Sequence, residues 1–292
     1  MLQHCVAESE WLATSIGDVG VHVSGEGPSI VFLHANPGSC ADFASVASSL
    51  AEGYRVISVD WPGYGASPAP SPECFEGALS YAAVLIDVLS ELSGRRGWAP
   101  FVLAGNSVGG YAALRAAAAR PDLVAGLVLI APGGFTASTV LSGFACRVLG
   151  DPSFGRKLAV PLAHLALRWR TPAAAAALGS ARSVRDDPDR ARVFSAVWRS
   201  FPRPEHDLRL AGRPSMPVLL TWGRWDPVLC AFTDGRRAAA ALGVTRHTFS
   251  SGHEPHAEVP AAWLAVVTPF LASLPRRNRA WSVPRPSPAV GA

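Results

Sequence analysis

The chain has 292 residues, 49% of them hydrophobic and 16% charged, a composition that excludes a disordered protein and is typical of one large globular unit. The net charge is +4, but Arg276, Arg277, Arg279 and Arg285 all lie in the acid-free segment 275–292. Without these four, 22 basic residues stand against 22 acidic ones, so the rest is formally neutral and we expect no nucleic-acid partner.

The cysteines and the apolar runs bear on the compartment. The cysteines are scattered, odd in number and lack metal-ligand spacing, which predicts reduced thiols, a cytoplasmic protein and no metal site. No basic leader with an apolar stretch begins the chain, and no run of about 18 apolar residues occurs, so neither a signal peptide nor a membrane span is predicted. The sequence does not indicate an oligomeric state. The five cysteines are Cys5, Cys40, Cys74, Cys146 and Cys230.

The first quarter of the chain predicts a hairpin, two buried strands and a helix. Residues 11–24 alternate around Gly17-Asp18, as an antiparallel hairpin does. Residues 29–34 (SIVFLH) and 55–60 (RVISVD) are short apolar strands, and each runs into a turn rich in glycine and proline. Residues 76–93 have helical spacing.

The stretch FVLAGNSVGGYAAL (101–114) joins an apolar strand to a helix through glycines. Residues 101–104 are typical of a buried parallel strand, and the helix-forming composition from Val108 ends at Pro121. Ser107 therefore stands on a sharp turn, where glycine permits positive φ or close backbone approach. This Gly-x-Ser-x-Gly pattern is typical of a nucleophile elbow, but a plain glycine-rich connection or a phosphate loop also fits it.

The second half alternates strands with helices around one exception. Strands are predicted at 124–132, 217–223 and 245–249, and a closing helix at 261–273. This alternation predicts an α/β fold whose mostly parallel sheet is covered by helices on both faces. The exception, 135–207, contains no strand pattern, and we interpret it as a helical insertion over the strand ends.

These patterns divide the chain into three parts. Residues 1–134 and 208–274 form the predicted core, and 135–207 form the predicted helical cap. Residues 275–292 are basic and rich in proline, which predicts a disordered tail. We expect that deleting this tail leaves activity unchanged.

A nucleophilic serine needs a base, and the base needs an acid that orients it. Asp226 follows the strand at 217–223, and His253 follows the last strand. Ser107, Asp226 and His253 are thus all predicted at the carboxyl ends of strands, where such sheets carry their sites. His256 is the alternative base.

The motifs that surround these residues resemble those of the α/β-hydrolase superfamily, in its serine-nucleophile branch with a helical cap. The resemblance implies the α/β-hydrolase fold, a mostly parallel central sheet flanked by helices with an inserted cap, and no cofactor or metal. Ala35 departs from the glycine usual in the family. The matching motifs are HANPG (34–38), DWPGYGAS (60–67), GNSVGG (105–110), GRWDPV (223–228) and GHEPHAEVP (252–260).

The resemblance also implies an oxyanion hole formed by two backbone N–H groups, those of Val108 and Asn36. The side chains beside the motif loops, Asn106, Trp61 and Trp225, are candidates for the substrate pocket, although the two tryptophans fit plain packing equally well. The apolar segment 158–169 either lines the pocket or forms the core of the cap.

The chemistry that follows is hydrolysis through a serine. Enzymes of the superfamily that open epoxides or remove halides use aspartate at the elbow. Ser107 therefore argues against epoxide hydrolysis and against dehalogenation. We expect hydrolysis of a carboxylic ester of a small to medium, mostly apolar substrate through an acyl-enzyme. Two alternatives remain: a carbon–carbon bond hydrolase of the ring-fission type, using arginines of the cap (Arg168, Arg170, Arg182 and Arg185), and a non-catalytic ligand-binding protein.

Overall fold

The computed structural model describes residues 8–274, the Leu210 side chain excepted, and its centre is one eight-stranded sheet. The strand order is β1-β2-β4-β3-β5-β6-β7-β8, with β2 antiparallel to both β1 and β4 and all other pairs parallel. The predicted hairpin and mostly parallel sheet are therefore confirmed. The strands are β1 (Glu8–Thr14), β2 (Gly17–Ser24), β3 (Ser29–Leu33), β4 (Arg55–Val59), β5 (Phe101–Asn106), β6 (Val124–Ile130), β7 (Val218–Gly223) and β8 (Arg246–Phe249).

Helices cover both faces of this sheet. Alternate residues of β3 point to opposite faces, so Ile30 and Phe32 join one apolar core while Val31 and Leu33 join the other. The first core is closed by α1 and α10, and the second by α2 and α3. The helices are α1 (Ala44–Leu50), α2 (Ala78–Arg96), α3 (Val108–Ala119), α4 (Val140–Leu149), α5 (Pro152–Ala166), α6 (Pro172–Asp186), α7 (Pro188–Ser200), α8 (Asp234–Leu242), α9 (Pro255–Glu258) and α10 (Pro260–Ser273).

Four helices, α4 to α7, lie between β6 and β7, where the sequence predicts a helical insertion. Side-chain caps begin each of them: Thr139, Asp151, Thr171 and Asp187 accept hydrogen bonds from backbone N–H groups of the first turn. Within 8–274, no helix is both long and apolar enough to span a bilayer. The domain boundaries stay predictions, and the predicted tail lies outside the described residues.

Candidate active site

Ser107 occupies the turn between β5 and α3 in a backbone conformation that side chains rarely adopt. Its φ is 54° and its ψ is −115°, in the region that favours glycine. Three hydrogen bonds hold it there: its N–H donates to the Ile130 carbonyl (2.9 Å), and its own carbonyl accepts from Tyr111 (3.0 Å) and Gly133 (2.9 Å). A strained residue that its surroundings hold this firmly marks a candidate functional site.

The glycines of this turn let α3 approach the sheet closely. A Cβ on Gly109 would collide with the carbonyl of Leu33 at the end of β3, and a Cβ on Gly105 would collide with Gly109 itself. The start of α3 is thus pressed against the ends of β3 and β5. This contact places Ser107 beside the loop that follows β3.

Asp226 and His253 form a buried pair at the same edge of the sheet. His253 Nδ1 lies 2.7 Å from Asp226 Oδ2, and both residues are only 5% exposed. The other Asp226 oxygen accepts from the N–H groups of Val228 (2.8 Å) and Leu229 (2.9 Å). Because the carboxylate can only accept, Nδ1–H donates this hydrogen bond, and the neutral imidazole keeps Nε2 as its acceptor.

The electrostatic surroundings favour the protonated form of His253. Burial is the largest single effect and lowers the pKa of this imidazole, but the charge and hydrogen bond of Asp226, together with Glu254 and Glu258, outweigh it. The pKa consequently lies above the ordinary 6.5. A base of this kind is able to take up a proton from a nearby hydroxyl.

Ser107 is brought near His253 but is not bonded to it. The side-chain amide of Asn106, the preceding residue, donates to the His253 carbonyl (3.2 Å) and to the Ile130 carbonyl (3.0 Å). The Ser107 hydroxyl has no hydrogen bond to any described residue. Such contacts are often long without substrate and tighten when it binds.

Two backbone N–H groups beside Ser107 are free to bind an oxyanion. Asn36 and Val108 line the same cavity as Ser107. Between residues 8 and 274, no group accepts a hydrogen bond from the backbone N–H of either residue. Val108 is the first residue of α3, where N–H groups have no partner within the helix, so both N–H groups are available to a ligand atom.

The Asn36 side chain is engaged within the protein. Its oxygen accepts from the buried Tyr64 hydroxyl (2.6 Å), and its nitrogen donates to the Phe194 carbonyl in α7 (3.1 Å). Both ends of the amide are therefore used to join the loop after β3 to the cap. The sequence contains no local signal for this contact, because Phe194 lies 158 positions away.

The cavity at Ser107 has a volume of about 330 Å³ and mostly apolar walls. Its walls come from the loop after β6 (Gly133 to Ser138), from α4, from the end of α7 together with residues 201–209, and from Val228 and Leu229. Trp198 and His206 are among the lining residues, and their ring nitrogens are buried without a hydrogen-bond partner among the described residues. The walls that come from α4 and 201–209 are not predicted by the motifs of the sequence.

The three predicted pocket side chains do not line this cavity, which corrects that prediction. Trp61 is fully buried, donates from its indole to the His34 carbonyl (2.9 Å) and stacks on Tyr81. Asn106 is buried, and its side-chain nitrogen donates to the two carbonyls named above, while its side-chain oxygen has no partner among the described residues. Trp225 is half-exposed and packs under the guanidinium of Arg168, 4.2 Å from its ring centroid.

The apolar segment 158–169 contains the end of α5 and lines no part of this cavity. Its helix, α5, packs on α6 and α7, and the Ala166 carbonyl near its end accepts from the His253 N–H (2.8 Å). Glu258 accepts from the N–H groups of Arg168 (2.7 Å) and Trp169 (2.9 Å), which follow α5. The cap is thereby tied to the His253 loop.

His256 has the wrong surroundings for a base. It is buried, stacks on Phe43 and has no partner among the described residues at either ring nitrogen. Burial, and secondarily the charge of His253, lower its pKa to about 3. His256 has no carboxylate like Asp226, which orients the His253 ring and raises its pKa.

The four arginines named for the carbon–carbon bond alternative do not line the Ser107 cavity. Arg168, Arg170 and Arg182 line a separate cavity of about 470 Å³ beside α5 and α6. Arg185 instead pairs with Asp186 (2.7 Å). Two other arginines, Arg203 and Arg209, do line the Ser107 cavity. Arg209 is paired with Asp207 (2.5 Å).

One group of described residues has the composition of a metal site. Ligand atoms of His22, Cys40 and Asp60 lie within 4.8 Å of one another, which their spacing in the sequence does not indicate. The Asp60 carboxylate, however, already accepts from the N–H groups of Cys40 (2.8 Å) and Ala66 (2.9 Å), and lies 3.0 Å from His22 Nε2. These hydrogen bonds stabilise the turn after β4, and they explain why the three side chains lie together.

Similarity to known proteins agrees with this architecture. The family model of the alpha/beta hydrolase fold matches residues 28–258. An uncharacterized protein of Mycobacterium tuberculosis is 27% identical over 268 residues, 85% of this chain and 76% of that protein. The sn-1-specific diacylglycerol lipase of Mus musculus is 40% identical over 121 residues, 40% of this chain and 37% of that protein.

Among solved structures, an esterase from Exiguobacterium antarcticum has a TM-score of 0.75 at 19% identity, over 91% of this chain and all of that one (100%). At this identity the likeness concerns the fold. The family match extends from just before β3 to the end of α9 and thus includes Ser107, Asp226 and His253. The chain belongs to the alpha/beta hydrolase fold family.

Proposed function

We propose that the protein hydrolyses a carboxylic ester through an acyl-enzyme on Ser107. His253 is the base in this proposal, Asp226 holds its tautomer, and the N–H groups of Asn36 and Val108 form the oxyanion hole. The observation that carries the proposal is the convergence of a strained serine and two unpaired N–H groups on one cavity, with a buried His–Asp pair beside it.

The reaction has two balanced halves. Ser107 Oγ attacks the ester carbonyl while its proton passes to His253 Nε2, and the new C–O bond leaves a tetrahedral oxyanion between the two N–H groups. The C–O bond to the alcohol then breaks, and His253 returns the proton to the leaving alcohol. Water repeats the sequence on the acyl-enzyme and releases the acid. Each N–H donor contributes on the order of 3 kcal/mol.

The cavity supports a small to medium, mostly apolar substrate. Its volume of about 330 Å³ lies at the lower end of the range for small-molecule sites. Apolar and small residues make up most of its walls. The lipase named above is also an ester hydrolase by its name, which supports the ester over a carbon–carbon bond.

Labelling with a fluorophosphonate probe tests the proposal directly. We expect the full-length protein to form an adduct on Ser107, located by peptide mass spectrometry. Ser107→Ala should form none, because the attacking oxygen is gone. His253→Ala should lose the adduct as well, since an unassisted serine is a weak nucleophile.

The matched control is His256→Ala, which removes a buried imidazole three residues away that the proposal does not use. Its labelling should persist in whatever fraction remains folded by circular dichroism. A folded wild type that forms no adduct would contradict the proposal and favour the ligand-binding alternative. Turnover of small charged acyl esters in preference to apolar ones would contradict the substrate class.

The pH profile provides a second test. His253 acts as a base only when neutral, and Asp226 raises its pKa above 6.5. We therefore expect kcat/KM for a soluble ester to rise with pH, with a midpoint above 6.5. In Asp226→Asn the raising charge is lost while burial remains, so the imidazole pKa measured by NMR should fall below 6.5. An unchanged pKa in that variant would contradict this assignment.

A further inference from the structure

Large apolar side chains are exposed on two consecutive helices of the cap. On α4, Val140, Leu141 and Phe144 are 93%, 77% and 62% exposed, and on α5, Phe154 and Leu165 are 54% and 66% exposed. Leu149 is the one buried residue of α4. We call the exposed residues of 140–170 the α4–α5 surface. Apolar groups concentrated in this way mark a site of interaction.

The same segment is strongly basic. Residues 140–170 contain five basic residues, all exposed, and one acid, Asp151. The Asp151 carboxylate is occupied at the start of α5, where it accepts from the N–H groups of Ser153 and Phe154. The formal charge of this segment is therefore +4. Residues 8–274 contain 22 basic and 22 acidic residues, so the formal charge of the remainder of that range is −4. The five basic residues of 140–170 are Arg147, Arg156, Lys157, Arg168 and Arg170.

Basic and apolar side chains share one side of α5. Phe154, Lys157, Pro161 and Leu165 follow each other at spacings of three, four and four, which places them in one stripe along the helix. All four are exposed. Apolar side chains flanked by cations are the composition of helices that lie in the interface of an anionic membrane.

This surface is continuous with the candidate active site. Helix α4 exposes Leu141 and Phe144 while its residues Ser142, Gly143, Ala145 and Cys146 line the Ser107 cavity. Helix α5 contacts α4 directly. Whatever binds the α4–α5 surface therefore lies beside the cavity.

We propose that the α4–α5 surface docks on a lipid surface of negative charge, which brings the cavity to esters held in that lipid phase. The docking stands on its own, and the delivery of the ester rests on the proposed function. A second copy of this chain fits poorly, because a symmetric contact would oppose two +4 surfaces. Nucleic acid would satisfy the arginines but would leave Leu141, Phe144 and Leu165 in water.

Co-sedimentation with vesicles tests the docking. The full-length protein should bind vesicles of phosphatidylcholine with phosphatidylglycerol far better than vesicles of phosphatidylcholine alone, and salt should weaken the binding. Phe144→Ser should lower the affinity about tenfold through lost apolar burial. Lys157→Gln should lower it about fivefold through one lost charge.

The matched control is Phe232→Ser. Phe232 is 59% exposed, almost as much as Phe144, but lies outside the α4–α5 surface. This variant should bind vesicles like the wild type. If it loses as much affinity as Phe144→Ser, or if neither loses any, the docking site is wrong.

A second readout separates docking from catalysis. Phe144→Ser should hydrolyse a water-soluble short-chain ester at the wild-type rate and an ester embedded in anionic vesicles about tenfold more slowly. Vesicle binding without turnover of either ester would refute the proposed function and leave the docking intact. Turnover of the soluble ester without vesicle binding would refute the docking alone. Salt-sensitive binding of duplex DNA, unaffected by Phe144→Ser and without vesicle binding, would assign the charge to nucleic acid.

Discussion

Ser107→Gly should yield a protein that is inactive and more stable than the wild type. Loss of the proposed nucleophile lowers kcat by about 10⁴- to 10⁶-fold. The φ of 54° and ψ of −115° at this position are unfavourable for a residue with a Cβ and readily adopted by glycine. Relief of this strain should raise the free energy of unfolding by about 1–2 kcal/mol, or the melting temperature by a few degrees, roughly 2–4 °C per kcal/mol.

Ser107→Ala is the matched control because it removes the same hydroxyl and keeps the Cβ. It should be equally inactive, but its free energy of unfolding should stay within about 0.5 kcal/mol of the wild type. Ester hydrolysis and chemical denaturation of the three proteins would measure both effects. If Ser107→Gly is no more stable than Ser107→Ala, the backbone at the turn is not strained. If either variant keeps substantial activity, Ser107 is not the nucleophile.

Gly109→Ala should be strongly damaging, although alanine is the better helix former and this residue lies in α3. A Cβ at this position would collide with the Leu33 carbonyl, so α3 or the loop after β3 must move. We expect the free energy of unfolding to fall by about 3 kcal/mol through overpacking. We also expect kcat to fall by roughly 10²-fold, since the loop carries the N–H of Asn36 beside Ser107.

Gly179→Ala is the control for helix propensity. Gly179 lies in the interior of α6, and a Cβ there would meet no atom within 4 Å. This variant should gain about 0.5–1 kcal/mol in stability and keep full activity. Denaturant unfolding of both variants is the measurement. A Gly109→Ala protein as stable and as active as Gly179→Ala would contradict the close contact between α3 and β3.

Side-chain electrostatics were only partly accessible from the sequence. The charges of residues 8–274 sum to zero, as the sequence analysis states. They are unevenly distributed, however, because residues 140–170 have a formal charge of +4 and the remainder of 8–274 has a formal charge of −4. A running charge count along the insertion would have found this excess. Which basic and apolar side chains are exposed depended on how α4 and α5 pack.

The sequence by itself determined the strands in chain order, the helices α2, α3 and α10, the fold family and the turns that carry Ser107, Asp226 and His253. These features depend on local causes: alternation with period two in strands, helical spacing, and glycines where a turn or a close approach excludes a Cβ. Their catalytic roles stay predictions until the labelling experiment is done.

Tertiary structure alone decided which side chains surround the site. The Asn36 amide bonds across 158 positions to α7, Glu258 bonds across 90 positions to Arg168, and α4 rather than 158–169 lines the cavity. Trp61 belongs to the motif DWPGYGAS (60–67), yet its side chain is buried and stacks on Tyr81 instead of lining the cavity. Contacts over such separations arise from the packing of whole elements, on which local periodicity carries no information.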